Sequence, residues 1–160
     1  MTSVTKWATF AFYETLGRQP VSTPSVEAWN GFVLKSYASA NAPHSLKWAA
    51  AVARDYMGQA NNGGLNSYLT YSYEIAAIDV VAALTAVGAT ESARQLKHVL
   101  DALGEPLPAS TQDERWAVME KCWTEDLDVV DVLSDEADAE LMEVLERHVA
   151  QDMDFYRRLS

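Results

Sequence analysis

Apolar residues recur at helical spacing along the chain, and glycine and proline residues separate the segments that carry this pattern. A first helix is predicted over 3–16, and Ser25 is placed to cap a second one. Pro43 opens a third helix. The asparagine and glycine run at 61–64 is expected to end it, because these residue types tolerate left-handed backbone angles. Three further helices are predicted over 65–73, 74–87 and 90–103.

Several helix ends in the second half of the chain are predicted from single residues. Gly88 and Gly104 are the expected helix stops, and Thr90 is the expected cap of the helix between them. Thr111 and Glu114 have the spacing of a capping box, in which each side chain accepts a hydrogen bond from the other residue's backbone. A helix is therefore expected to begin just after Thr111.

The last third of the chain is predicted to be almost entirely helical, because no glycine or proline follows Pro108. Residues 126–133 are expected to form a short helix or turn. Ser134 is then expected to cap a long acidic helix that runs to about Arg158. The predicted buried face of the helix after Pro108 consists of Trp116, Met119 and Trp123.

The length and composition are those of one globular domain, since 160 residues with 49% hydrophobic side chains can bury a single core. We predict an all-α, single-domain bundle over 1–160, with about seven to nine helices, of which the first lie in 1–45. The most apolar tract, 75–87, is too short to span a membrane. The sequence contains no recognisable secretory signal, so the expected location is the cytoplasm.

The negative charge is concentrated towards one end of the sequence. The formal net charge is -11, and residues 101–160 carry 17 acidic side chains against five basic ones. This excess argues against direct binding to nucleic acid or to an anionic membrane, and it favours a protein partner with a basic surface. Residues three or four apart share a helix face, so two acidic rows are expected, one of Glu136, Glu140 and Glu143 and one of Glu125, Asp128, Asp131 and Asp135. The candidate partner-binding acids are Glu125, Asp128, Asp131, Asp135, Glu136, Glu140, Glu143 and Glu146.

The residue types that support catalysis or metal binding do not form a recognisable site. Cys122 is the only cysteine and is expected to be a small buried hydrophobe. His148 with Asp152, and His98 with Asp101, have the spacing of paired metal ligands on a helix, but neither pair has a visible third ligand. The sequence contains no nucleophile motif and no phosphate-binding or calcium-binding loop. We therefore predict no catalytic residue, no metal and no cofactor.

An Asn-Asn-Gly-Gly motif begins a segment, Asn-Asn-Gly-Gly-Leu-Asn-Ser-Tyr-Leu, that resembles the signature of a family of small, acidic, all-α bacterial proteins. The family is a domain of unknown function that includes a DNA-mimic protein. The helix stop at 87–89 and the acidic tail that leads into a long helix resemble later features of the same family, so the resemblance covers about 46–158. By its residue types alone, the motif is a tight turn between helices. Its residues are Asn61, Asn62, Gly63 and Gly64.

The resemblance implies a protein that occupies the nucleic-acid site of a DNA-binding protein by presenting carboxylates where phosphates would lie. Duplex DNA carries about one charge per 1.7 Å of its axis, whereas acids three or four apart on a helix advance by about 5 to 6 Å. The charges on a single helix are therefore too widely spaced to imitate those of duplex DNA. Mimicry therefore requires either two acidic helices side by side or a homodimer. The candidate helices of the chain are 124–134 and 135–158.

An alternative function is an immunity or antitoxin protein that neutralises a specific bacterial toxin by direct binding. This function requires no phosphate-like spacing of charge. It predicts a binding core of aromatic side chains, such as Trp116, Trp123 or Tyr156. An enzyme that uses the pair of His148 and Asp152, or the loop at 61–64, is the least favoured function.

Overall fold

A computed structural model of the chain describes residues 45–152 and residue 154. This part contains six α-helices and no β-strand, which confirms the predicted all-α class. The helices are α1 (Leu46–Tyr71), α2 (Ala77–Val87), α3 (Thr90–Leu103), α4 (Gln112–Cys122), α5 (Glu125–Asp128) and α6 (Asp135–Gln151). The seven to nine expected helices include those predicted before Pro43, which lie outside the described residues, as do Tyr156 and Arg158. None of the described helices is both long and apolar enough to cross a membrane.

Helix α1 lies at the centre of the described fold and contacts α2, α4 and α6. Ser45 caps it by accepting a hydrogen bond from the backbone N–H of Trp48. The buried residues 49–53 are four alanines and Val52, whose side chains are short, so neighbouring helices can approach closely. The rings of Tyr56 and Tyr68 pack edge to face, with centroids 5.0 Å apart. Helix α3 packs against α2 and α6 and completes the core.

The predicted helix ends are largely confirmed. Gly88 and Gly104 end α2 and α3 in the left-handed conformation, which glycine adopts without a steric penalty. Thr111 and Glu114 form the predicted capping box of α4. Ser134 caps α6 by accepting a hydrogen bond from the backbone of Ala137. These ends depend on local backbone geometry, which the sequence pattern specifies directly.

The predicted starts of α2 and α3 need correction. Helix α2 begins at Ala77 and not at residue 74, because the backbone before it pairs with the segment after α3. The carbonyl of Tyr73 accepts from the N–H of Ser110 over 2.9 Å. Thr90 is the first residue of α3 and not its cap. The cap position is occupied by Ala89, whose side chain has no hydrogen-bonding group. A carboxylate of α6 caps α3 instead.

The predicted buried face of α4 is wrong at Trp116, which is 61% exposed, and right at Met119, which is buried. The buried neighbour is Arg115, with 2% exposure. Its guanidinium donates to the carbonyl oxygens of Leu69, Ile75 and Pro108, at 3.3, 3.0 and 2.8 Å. Burial lowers the pKa of Arg115 from its usual value. Satisfying these carbonyls turns the Arg115 side of α4 inward and leaves Trp116 outside.

The short helix or turn predicted over 126–133 is confirmed, since α5 is followed by turns, but the segment 124–134 is therefore not the second acidic helix that mimicry was expected to use. The backbone of this stretch bonds to side chains and backbone of α1 and α3 instead of continuing a helix. The predicted acidic row of Glu125, Asp128, Asp131 and Asp135 is therefore not one helix face. Its last residue begins α6.

Candidate partner-binding surface

The Asn-Asn-Gly-Gly motif forms a sharp break inside α1. Gly64 has φ 79° and ψ 175°, and helical geometry resumes at the next residue, where a new helix was predicted to begin. Such a break leaves backbone N–H groups without partners within the helix. The carbonyl oxygen of Asp131 accepts from the N–H of Leu65 over 2.7 Å, and its carboxylate accepts from the N–H of Asn66 over 2.7 Å. Asp131 thus caps the second half of α1 from a distant part of the chain.

Only glycine fits at position 64. A Cβ atom added there would lie 2.6 Å from Cγ of Asp131, far inside normal contact distance. The backbone angles of Gly64 also fall in a region that side-chain-bearing residues essentially do not adopt. A second acid contacts the motif at its other end, where Asn61 donates to Asp138 over 2.7 Å. The motif therefore docks the C-terminal acidic region onto α1.

Gln95 of α3 holds the same acidic region from the other side. Its side-chain amide donates to the carbonyl oxygens of Val130 and Val132, at 3.2 and 2.7 Å. Its amide oxygen accepts from the N–H of Ser134 over 3.1 Å. One side chain thus satisfies three backbone groups of an irregular segment, which fixes the conformation of that segment.

We call residues 125–136 the acidic loop. It carries six acidic and no basic side chains. Its backbone is held by Gln95 and through Asp131, and its start is held by Trp123, whose indole N–H donates to Asp128 over 2.9 Å. Four of its carboxylates are exposed and form no hydrogen bond or ion pair with the described residues. They belong to Glu125, Asp126, Asp135 and Glu136.

The remaining acids of the predicted binding set already have structural partners, or are not fully exposed. Glu140 accepts a hydrogen bond from the N–H of Glu91 over 2.6 Å and so caps α3. Glu143 forms an ion pair with Arg147, as i, i+4 spacing allows. Glu146 is half-buried. Of the eight predicted acids, the structure leaves only Glu125 and Asp135 both exposed and without a partner among the described residues, because Glu136 interacts electrostatically with Arg94.

Two apolar side chains project from the acidic loop. Val129 is 86% exposed and Val132 is 69% exposed. Single exposed apolar residues are common on protein surfaces. Two of them on a fixed loop surrounded by carboxylates can instead add apolar contact to an otherwise charged interface.

The predicted metal-ligand pairs have other contacts. Asp101 forms an ion pair with Lys97, and Asp152 forms one with Lys47 over 2.7 Å. Burial, followed by the charge of Lys47, lowers the pKa of His148. Among residues 45–152 and 154, no group of three or more histidine, cysteine or acidic side chains is placed to hold a metal ion.

The fold and this surface define a small α-helical protein with an acidic loop docked on a glycine motif. The chain matches the model of a family described as DMP19-like protein over residues 43–154. It therefore belongs to the DMP19-like protein family. This match confirms the resemblance to a family that includes a DNA mimic. No curated protein and no solved structure matches the chain significantly.

Proposed function

We propose that the protein is a non-enzymatic binding protein of the cytoplasm that occupies the nucleic-acid site of a DNA-binding protein. The acidic loop carries this proposal, because it presents four exposed carboxylates that form no hydrogen bond or ion pair with the described residues, on a backbone that other side chains hold in place. A surface that is ordered before binding loses less conformational entropy on binding. Membership of a family that includes a DNA mimic supports the same function.

The density of charge favours a composite surface over a single helix. Acids along α6 alone advance by about 5 to 6 Å, against about 1.7 Å per charge in duplex DNA. The acidic loop contributes Glu125 and Asp126 in addition to the first-turn acids of α6, Asp135 and Glu136. A homodimer would extend the surface further. The partner is then expected to have a basic surface that normally binds phosphates.

The first experiment is co-purification of a tagged copy from its native host, with bound proteins identified by mass spectrometry. Washing at low salt and at about 0.5 M salt changes the screening of charge several-fold. We expect a DNA-binding protein that is retained at low salt and displaced by added duplex DNA. A partner that duplex DNA does not displace would contradict mimicry.

Matched charge variants test whether the acidic loop is the contact surface. The loop variant combines Glu125→Gln, Asp126→Asn, Asp135→Asn and Glu136→Gln. The control neutralises four exposed acids outside the loop, through Glu74→Gln, Asp101→Asn, Glu105→Gln and Asp113→Asn, so both change the net charge from -11 to -7. Since close charge pairs contribute strongly to association, the loop variant should lose more than about tenfold in affinity. An equal loss in both variants would mean that net charge alone drives binding.

The exposure of Trp116 favours immunity as a second candidate function. A tryptophan that is 61% exposed is a typical anchor of a tight protein interface. An immunity protein would retain a single toxin partner at about 0.5 M salt and would be indifferent to DNA. The same co-purification therefore separates the two functions.

A further inference from the structure

A groove beside the acidic loop is lined by side chains that have no role in the function proposed above. It lies between the second half of α1 and α4 and has a volume of about 460 Å³. Two of its aromatic side chains are open to solvent, with Trp116 61% and Tyr71 57% exposed. We call it the aromatic groove. Its lining residues are Asn66, Ser67, Thr70, Tyr71, Trp116, Met119, Glu120 and Trp123.

The aromatic groove is physically continuous with the acidic loop. Trp123 lines the groove and donates its indole N–H to Asp128 of the loop. Asn66 lines the groove and donates its backbone N–H to Asp131 of the loop. The groove and the loop therefore adjoin, and one partner surface can contact both.

The chemistry of the lining favours a planar cation. Among the described residues that line the groove, only Glu120 is charged, and it is exposed and forms no hydrogen bond or ion pair with the described residues. Indole and phenol rings attract cations through their faces, and a guanidinium group also stacks flat on such rings. Its donors can pair with a carboxylate in a two-point contact, and the positive charge makes these hydrogen bonds stronger than those of a neutral group of the same shape.

We propose that the aromatic groove binds an arginine side chain of the protein partner, with the guanidinium against Trp116 and paired with Glu120. This deepens the proposed function, because a basic partner displays arginine residues where it normally contacts phosphates. The groove supplies the contact for one such residue, and the acidic loop faces the surrounding basic surface.

The isolated chain can be tested with a small probe. N-acetyl-arginine amide is titrated into ¹⁵N-labelled protein while the indole N–H signals are followed by NMR, with N-acetyl-citrulline amide as a neutral probe of nearly the same shape. We expect saturable shifts of the Trp116 and Trp123 signals with the arginine probe only, and weak, millimolar affinity. Equal shifts with the citrulline probe, or with N-acetyl-lysine amide, would overturn the proposal.

Two variants locate the binding of the probe. Glu120→Gln keeps the shape of the side chain but removes its charge, and it should weaken binding of the arginine probe several-fold. Asp101→Asn removes an exposed charge of α3 outside both the groove lining and the acidic loop, and it should leave the affinity for the arginine probe unchanged. Equal weakening by both variants would show general attraction to an acidic protein and would overturn the assignment to the groove.

The outcome is independent of the partner experiment. If the isolated chain binds the arginine probe but no partner is displaced by DNA, the assignment of the groove stands and DNA mimicry is refuted. If DNA displaces the partner but the isolated chain does not bind the arginine probe, mimicry stands and the assignment of the groove is refuted.

Discussion

Asp131 connects the acidic loop to the break in α1, and its replacement should reduce stability. Asp131→Ala removes the acceptor of the Asn66 N–H, and loss of a helix cap costs about 1 kcal/mol. We expect that loss in the free energy of unfolding, measured in urea at pH 7. Asp131→Asn retains an oxygen acceptor without the charge, so it should cost less.

The control for Asp131 is Glu120→Ala, which removes an exposed carboxylate that has no hydrogen bond to the described residues. Such surface changes normally alter stability by less than about 0.5 kcal/mol. If Asp131→Ala costs no more than Glu120→Ala, the capping role of Asp131 is wrong.

Gly64 should tolerate substitution less than another glycine with positive φ. Gly64→Ala places Cβ against the carboxylate of Asp131 in a backbone region that only glycine adopts, so we expect a loss of more than about 3 kcal/mol. Gly104→Ala meets open space at φ 67° and should cost about 1–2 kcal/mol. Urea unfolding of both variants provides the comparison.

A double variant keeps the test of Gly64 informative if Gly64→Ala folds poorly. Removing the carboxylate by Asp131→Ala in the Gly64→Ala background should restore part of the lost stability, because the steric conflict disappears. Strictly additive losses would show that the two residues do not conflict.

At the scale of helices, the capping box of α4 should make stability depend on acid pH. Glu114 accepts a hydrogen bond from the Thr111 N–H over 2.9 Å, which, followed by the Thr111 hydroxyl, lowers the pKa of Glu114. A carboxylate with a lowered pKa in the folded state contributes stability above its unfolded pKa. That contribution is lost as the pH falls below the ordinary glutamate value of 4.5 and through the folded pKa.

Glu114→Gln should therefore flatten the fall in unfolding free energy below about pH 4.5, which urea titrations at several pH values would measure. Thr111→Ala removes the hydroxyl but keeps the backbone N–H, so it should flatten the curve less. A curve that Glu114→Gln leaves unchanged would rule out the capping box as a source of the pH dependence.

Helix ends were predictable from sequence where the cause is local. Gly88, Gly104 and Ser134 act within one helical turn of their own position, and the pattern places them correctly. Arg115 and Gln95 act on backbone groups that lie 7 to 46 residues away along the chain, so no local pattern reveals them.

The candidate surface was predictable only in part for the same reason. The sequence identified the acidic segment, but the residue type alone does not distinguish a carboxylate that caps a distant helix from one that faces solvent. Asp131 and Glu140 were assigned to partner binding, and the structure shows that both cap helices. Val129 and Val132 were missed because helical spacing does not apply to an irregular loop.

At the scale of the whole molecule, the acids divide into those that hold the fold and those that remain unpaired at its surface. Paired acids such as Asp138 stabilise the docking of the C-terminal region on α1. Unpaired like charges on one loop repel one another and lower stability. The acidic loop thus has an electrostatic cost that a basic partner would remove, and this favours binding at the loop.

The exposed side chain of Val129 in the acidic loop should contribute to partner binding at every salt concentration. Burial of a valine side chain contributes about 1.5 kcal/mol, so Val129→Ser should weaken binding of the co-purified partner by about tenfold. Screening acts on charges and not on apolar contact, so this factor should be the same at low and at about 0.5 M salt. Surface plasmon resonance at both salt concentrations would measure it.

The matched control is Ile78→Ser, which changes an apolar residue of α2 that is 61% exposed and lies outside the acidic loop. It should leave the affinity unchanged, whereas the charge variants of the loop should lose their effect as salt rises. A normal affinity of Val129→Ser at both salt concentrations would place the contact elsewhere on the protein. An equal effect of Ile78→Ser would show that apolar exposure in general, and not the acidic loop, determines binding.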